Sequence, residues 1–218
     1  MRLHLKISRR GLASRFPGQG ARNLRRLSQP KRESIEQGRR RFLIGSPCAT
    51  GILTVITLYS LMASTPIRIG LISDTHDLLR PAAKRALNGV EHILHAGDIC
   101  GGDVLAELAN IAPVTAVRGN NDRGAWAGKL RETELVEIGG ISIYILHDLS
   151  ALDIDPRAAG VHAVISGHSH QPLVEERDGV LFVNPGSAGP RRFSLPISLG
   201  FIEIAAGKVS ASLLTLQT

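Results

Sequence analysis

The chain is poor in cysteine: Cys48 and Cys100 are the only two in 218 residues. One thiol in each half indicates neither a disulfide framework nor a thiolate metal site. The fold must be held by its apolar core, and a chain of this length can form one sizeable core and hardly two. Aromatic residues are also scarce, at 4%. A basic stripe with interleaved aromatic rings, the mark of a single-strand nucleic-acid binder, is missing.

The formal charge of +7 is unevenly placed. Residues 1–61 hold thirteen Lys or Arg and two Glu, which leaves the remaining 157 residues with thirteen basic and seventeen acidic side chains. The body is mildly acidic, so nucleic acid is not expected as its partner. Up to Arg41 the sequence is Arg-rich without an apolar period and is expected to be disordered. The uncharged run "FLIGSPCATGILTVITLYSLMAS" follows, preceded by "GRRRFLIG", which looks like a twin-arginine export signal. Its Gly, Pro, Ser and Thr content and the lack of a cleavage pair near Ala63 weaken that reading. Three origins stay open: a start assigned too early, with Met62 as the true initiator; an export signal or anchor; an organelle-targeting leader or basic tail. The first implies a cytoplasmic protein with no stable membrane partner, the second an exported or anchored one.

A functional domain is expected over residues 66–218. "IRIGLISD" is an almost continuous apolar run suited to a strand covered on both faces. "RPAAKRALNG" reads as a short helix with Pro81 in its first turn and Gly89 as its stop, "HILHAGD" as a strand, "GGDVLAELAN" as a helix and "PVTAVRGN" as a third strand. This order predicts parallel strands with crossover helices. Beyond Trp126, hairpins are expected at Gly139-Gly140, Asp178-Gly179 and near Gly207, giving a mostly antiparallel C-terminal part. The fold class is α/β, with a mixed two-sheet β core expected and no internal repeat or linker within residues 66–218.

Each buried-looking strand ends in a residue of metal-ligand type. Asp74 and His76 follow "IGLIS", Asp98 follows "ILHAG", Asn120 and Asp122 follow "TAVRG", His147 follows "IYIL", and His168 and His170 follow "AVISG". Taken singly, Asp98 is better read as a helix or turn cap and Asn120 as a turn residue. "DTH" is evenly balanced, and "GHSH" leans toward metal because its two histidines project to one side of an extended chain. Carboxyl ends of parallel strands share one edge of a sheet, so the ordered set points to one metal centre. His92, His95 and His162 lie at strand starts or interiors and are set aside, and Cys100 is read as a small filler.

The order "DTH", "GD", "GNND", "H", "GHSH", with "NPGSAGPRR" near the end, resembles the calcineurin-like metallophosphoesterases. It is most similar to their small bacterial and archaeal phosphodiesterases, a group that includes the retromer subunit Vps29. The resemblance implies a four-layer α/β/β/α sandwich with mixed sheets and two divalent metal ions, manganese foremost, with nickel, iron, cobalt or zinc as the other candidates. It implies that Asp74, His76 and His170 hold one ion and Asn120, His147 and His168 the other, with Asp98 between them. Asp98, Asn121 and Asp122 are the residues assigned to the reaction, Asp122 by orienting a ligand; Asn121 and Arg123 are the expected phosphate contacts. The implied activity is hydrolysis of a small phosphodiester or phosphomonoester by metal-activated water. A catalytically weak protein-binding scaffold is the alternative, and a homo-oligomer is compatible with either.

Two departures from the family pattern carry chemistry. Asn121 stands where many members have a histidine that assists the leaving group, and an amide cannot act as an acid. Asp148 replaces the second histidine of a T-H-G-H block, while His147 is kept. Arg191 and Arg192 are expected at the rim of the site, either drawing in an anionic substrate or as plain surface charge.

Overall fold

The apolar run after Pro66 forms β1 (Ile67–Ile72), whose last four residues are buried. Its neighbours follow in chain order: α1 (Pro81–Leu87), β2 (His92–His95), α2 (Gly102–Ala109) and β3 (Val114–Ala116). After these come β4 (Thr133–Ile138), β5 (Ile141–Leu146), β6 (Ala163–Ile165), β7 (Leu173–Arg177), β8 (Val180–Asn184), β9 (Ser198–Ala205) and β10 (Lys208–Thr215). This computed structural model describes residues 65–192 and 194–217. The expectations for residues 1–61 lie outside the described residues.

The strands form two five-stranded sheets, in the orders β10-β9-β1-β2-β3 and β4-β5-β6-β8-β7. In the first, β1, β2 and β3 are parallel, as the strand-helix alternation predicts, and β9 runs antiparallel to β1. In the second, the hairpins β4-β5 and β7-β8 turn at Gly139-Gly140 and Asp178-Gly179. The C-terminal part is less antiparallel than expected, because β6 is parallel to both β5 and β8. That pairing is functional in effect: it brings the carboxyl ends of β5 and β6 to the same edge.

Alternation along the strands builds the layers. Ile69 and Leu71 of β1 and Leu94 of β2 pack with Ile143, Ile145, Ile165 and Val183 between the sheets. Ile72 and Ile93 point the other way, under Ala83 and Leu87 of α1 and Val104 and Leu108 of α2. Each such aliphatic side chain contributes about 1.5–3 kcal/mol on full burial. The outer face of the second sheet, with Leu146, Val164 and Phe182, is covered by Leu149, Leu152 and Ile154 of a 3-10 turn and the loop after it. The mixed α/β sandwich is as expected, with its second outer layer thinned to that turn and loop. Among the described residues no helix is long and apolar enough to cross a membrane.

Candidate metal centre

All seven residues expected as ligands sit just beyond strand ends, on one edge of the sandwich. Five of them adopt left-handed backbone: Asp74 (φ 52°), His76 (45°), Asp98 (54°), His168 (66°) and His170 (57°). For a residue with a Cβ this costs roughly 1–2 kcal/mol, and such strain gathers where function requires it. Bonds between the loops hold it in place. Asp74 N–H donates to Gly97 O at 3.0 Å, His76 N–H to Asp98 O at 3.0 Å, and Gly167 N–H to His147 O at 2.9 Å. Gly119 permits a close backbone approach between two ligand loops, since a Cβ there would lie 2.2 Å from Asp98 N.

The donor atoms fall into two overlapping groups, Asp74-His76-His170 and Asp74-Asp98-His147, with the atoms of each within 4.8 Å of one another. Asn120 joins the second group, its Oδ1 lying 3.0 Å from His147 Nε2 and 3.1 Å from His168 Nδ1. Asp98 faces both sides: Oδ2 is 3.8 Å from His76 Nε2, and Oδ1 is 3.5 Å from His147 Nε2. His147 Nδ1–H donates to Ala96 O at 2.7 Å, which in the neutral ring leaves Nε2 as a lone pair aimed at Asn120 and Asp98.

The protonation directions follow from this packing. Burial alone would raise the pKa of Asp98, but the His147 ring facing it and hydrogen bonds from the side chain and backbone of Asn121 hold it well below the usual carboxylate range. Burial would lower His147, yet its bonds with Asp98 and the Ala96 carbonyl leave it raised. His76 is lowered by burial and then by the charge of Arg192.

The residues fit a cation. Asp74 is fully buried, and its Oδ1 has no hydrogen-bond partner; nor does the buried Nδ1 of His170. A buried carboxylate oxygen left unpaired is costly, and buried charges are normally paired or coordinated. Its other oxygen, Oδ2, is satisfied by Ser73 Oγ–H at 2.6 Å and His168 N–H at 3.2 Å. The unsatisfied oxygen is thus the one turned toward His76 and His170. Carboxylate, amide and imidazole donors without a thiolate suit first-row divalent ions.

The remaining expected residues divide. Asp122 is buried and accepts from Gly119 N–H and Cys100 N–H, both at 2.7 Å. It orients the two loops that carry Asp98 and Asn120 by their backbones, without touching a ligand side chain. Asn121 donates from Nδ2 to Asp98 Oδ2 at 2.6 Å and from its backbone to Oδ1 at 2.8 Å. Arg123 is exposed, and among the described residues it makes no hydrogen bond or ion pair with the cluster. Asp148 accepts from Ser150 N–H and Oγ–H, and its Oδ2 is 3.8 Å from His168 Nε2.

Sequence reasoning undervalued two neighbours of His76. Cys100 Sγ lies 3.4 Å from His76 Nδ1, and burial, followed by the charges of Asp122 and Asp98, pushes its thiol up to about 11. It therefore stays a neutral thiol beside the ring. Arg192 Nη2 lies 3.3 Å from His76 Nε2. Position two after "GD" was the available signal for Cys100; nothing local distinguished Arg192 from Arg191. His95, set aside from the start, is a satisfied core histidine: Gly97 N–H donates to its Nδ1 at 3.2 Å, and Nε2–H faces Thr75 Oγ1 at 3.0 Å.

A family profile described as the calcineurin-like phosphoesterase superfamily domain matches residues 67–207. A probable metallophosphoesterase of Methanothermobacter thermautotrophicus is 34% identical over 158 residues, covering 67% of this chain and 91% of that protein. Among solved structures, an archaeal phosphodiesterase aligns with a TM-score of 0.57 at 28% identity, covering 67% of this chain and 99% of that one. Vps29 of Entamoeba histolytica, solved with zinc, aligns with a TM-score of 0.50 at 27% identity, over 68% of this chain and 98% of its own.

Proposed function

The chain belongs to the calcineurin-like phosphoesterase superfamily, and from that premise we propose that it is a divalent-metal-dependent phosphodiesterase of small phosphate esters. The observation that carries this reading is the convergence of Asp74, His76, Asp98, His147 and His170 in two overlapping donor groups that share Asp74, whose Oδ1 is unpartnered. When bound, two divalent ions would supply the charge that polarises a phosphoryl oxygen and acidifies the attacking water. Manganese is the ion to test first.

The chain's own residues then have separable tasks. Asp74, His76 and His170 would hold one ion and Asn120, His147 and His168 the other, with Asp98, whose two oxygens face His76 and His147, available to both. The Ala96 carbonyl fixes the His147 ring with Nε2 inward. Asn121 steadies Asp98 and has no proton to give the leaving group. A cleft of about 620 Å³ opens over Asn120, His147 and His168, and Asp148, Asp153 and Glu132 are among its walls. Glu132 is paired with Arg118, which also lines the cleft; the walls stay net acidic through Asp148 and Asp153, which disfavours a polyanion and favours a small ester. The domain acting in this way is residues 66–218.

The test is hydrolysis of an aryl phosphodiester by manganese-loaded protein beside an Asp98→Ala control. Metal-dependent turnover in the first alone is expected, and equal rates would sink the reading. A second reading, a protein-binding scaffold with little catalysis, draws on Leu173 and Val174 of β7 and Leu213 and Leu214 of β10, exposed on two adjoining edge strands. Metal binding without turnover would favour it.

A further inference from the structure

The segment "NPGSAGPRR" is the one motif whose chemistry the metal cluster does not absorb. Its first half is fastened to the ligand loops at many points. Asn184 Nδ2–H donates to Gly167 O at 2.7 Å, Ser187 Oγ–H to Asp74 O at 2.9 Å and Ala188 N–H to Ser73 O at 3.1 Å, and Ser73 Oγ lies 2.7 Å from Gly186 O. Gly189 lies so close to the Asp74-Thr75 backbone that a Cβ would fall 2.3 Å from Thr75 O, and Arg80 Nε–H ties down its carbonyl at 3.1 Å. The chain returns at Ser198, whose N–H donates to Ser187 O at 2.9 Å.

What lies between these anchors is a short excursion, closed by Leu195 N–H donating to Arg192 O at 3.2 Å. It delivers the Arg192 guanidinium to 3.3 Å from His76 Nε2, on the Asp74-His76-His170 side of the cluster. Arg68, Arg118, Arg131 and Arg177 each pair with a glutamate; Arg85, Arg123, Arg157 and Arg191 are unpaired among the described residues, but none of them comes within hydrogen-bond distance of a cluster residue as Arg192 does. Among the described residues Arg192 has no ion-pair partner. An exposed cation aimed at the site, on a loop held by the ligand loops, calls for an anion that arrives with the substrate.

Resting on the phosphodiesterase reading, we infer that Arg192 is a substrate-binding residue that holds the non-bridging oxygens of the phosphate at the His76 end of the centre. A guanidinium offers a planar fork matched to two phosphate oxygens. It supplies charge and orientation and leaves the missing acid at position 121 unreplaced.

The test titrates orthophosphate into the manganese-loaded full-length chain by calorimetry, for wild type, Arg192→Ala, Arg192→Lys and Arg191→Ala, with metal content measured on each. Arg192→Ala should weaken phosphate binding on the order of tenfold at unchanged metal content. Arg192→Lys should recover part of this, and Arg191→Ala, one exposed residue earlier, should stay within about twofold of wild type. Unchanged affinity in Arg192→Ala, an equal loss in Arg191→Ala, loss of metal in Arg192→Ala, or no phosphate binding by wild type would each overturn the assignment. Aryl diester hydrolysis measured in parallel separates the two readings. Absent turnover with Arg192-dependent phosphate binding removes the enzyme alone, and turnover with Arg192-independent binding removes the arginine alone.

Discussion

Asp74 Oδ1 lies 3.2 Å from His170 Nε2 in a buried pocket and has no hydrogen-bond partner there. A carboxylate so placed is expected to gain from a cation, and binding to the folded chain alone stabilises it. Manganese at a hundred times its dissociation constant should add about 2.7 kcal/mol per site, read as a raised unfolding midpoint that a chelator reverses. Asp74→Asn should lose most of that increment. The same rise in both proteins would place the bound ion elsewhere.

Leaving-group dependence should be steep. With Asn121 donating to Asp98 and no acid at that position, alkoxide leaving groups must depart unprotonated. Aryl diesters should exceed alkyl diesters in kcat/KM by about a hundredfold or more, the range a general acid usually supplies. Plotting rate against leaving-group pKa checks this, and a flat line would reveal an unrecognised proton donor.

Asp122 acts through backbone. Its two oxygens satisfy Gly119 N–H and Cys100 N–H, so Asp122→Ala would orphan both donors, at about 1–3 kcal/mol for a buried group. Metal affinity should fall about 10–100-fold, as for other residues that orient ligands, and Asp122→Asn should recover part of it. Wild-type metal affinity in the alanine variant would show that the loops hold themselves.

His95 supplies a pH dependence. Burial lowers its pKa from 6.5 to about 3, because both ring nitrogens are satisfied in the neutral form. A folded-state pKa below the unfolded value means that the unfolded chain binds the extra proton. The stabilisation is therefore present above about pH 6.5 and lost as pH falls toward 3. Ring NMR should show His95 still neutral at pH 5, where an exposed histidine is charged; a midpoint near 6.5 would remove this contribution.

Much of the site was legible because its signals are local. An apolar run that stops at "SDTH", "HAGD" or "SGHSH" marks both a buried strand and the polar group at its end, and the hairpin glycines sit where the turns fall. Cys100 was not legible, and Arg192 was legible only as one of two rim arginines, for the opposite reason. Their importance is a distance to His76, from 24 and 116 residues away, and single positions carry no trace of such a distance. Arg123 is exposed and makes no bond to the cluster among the described residues, and its expected contact with phosphate rests on adjacency to Asp122 alone.

By itself the sequence determined which strands are buried, which residue types end them, and in what order, since burial and turn chemistry act over a few neighbouring positions. Only the tertiary structure decided that β6 runs parallel to both neighbours, that Asp74 Oδ1 is left without a partner, and that Arg192 reaches His76. Those outcomes depend on how two sheets and a riveted loop meet at one edge, a matter of contacts between segments far apart in the chain.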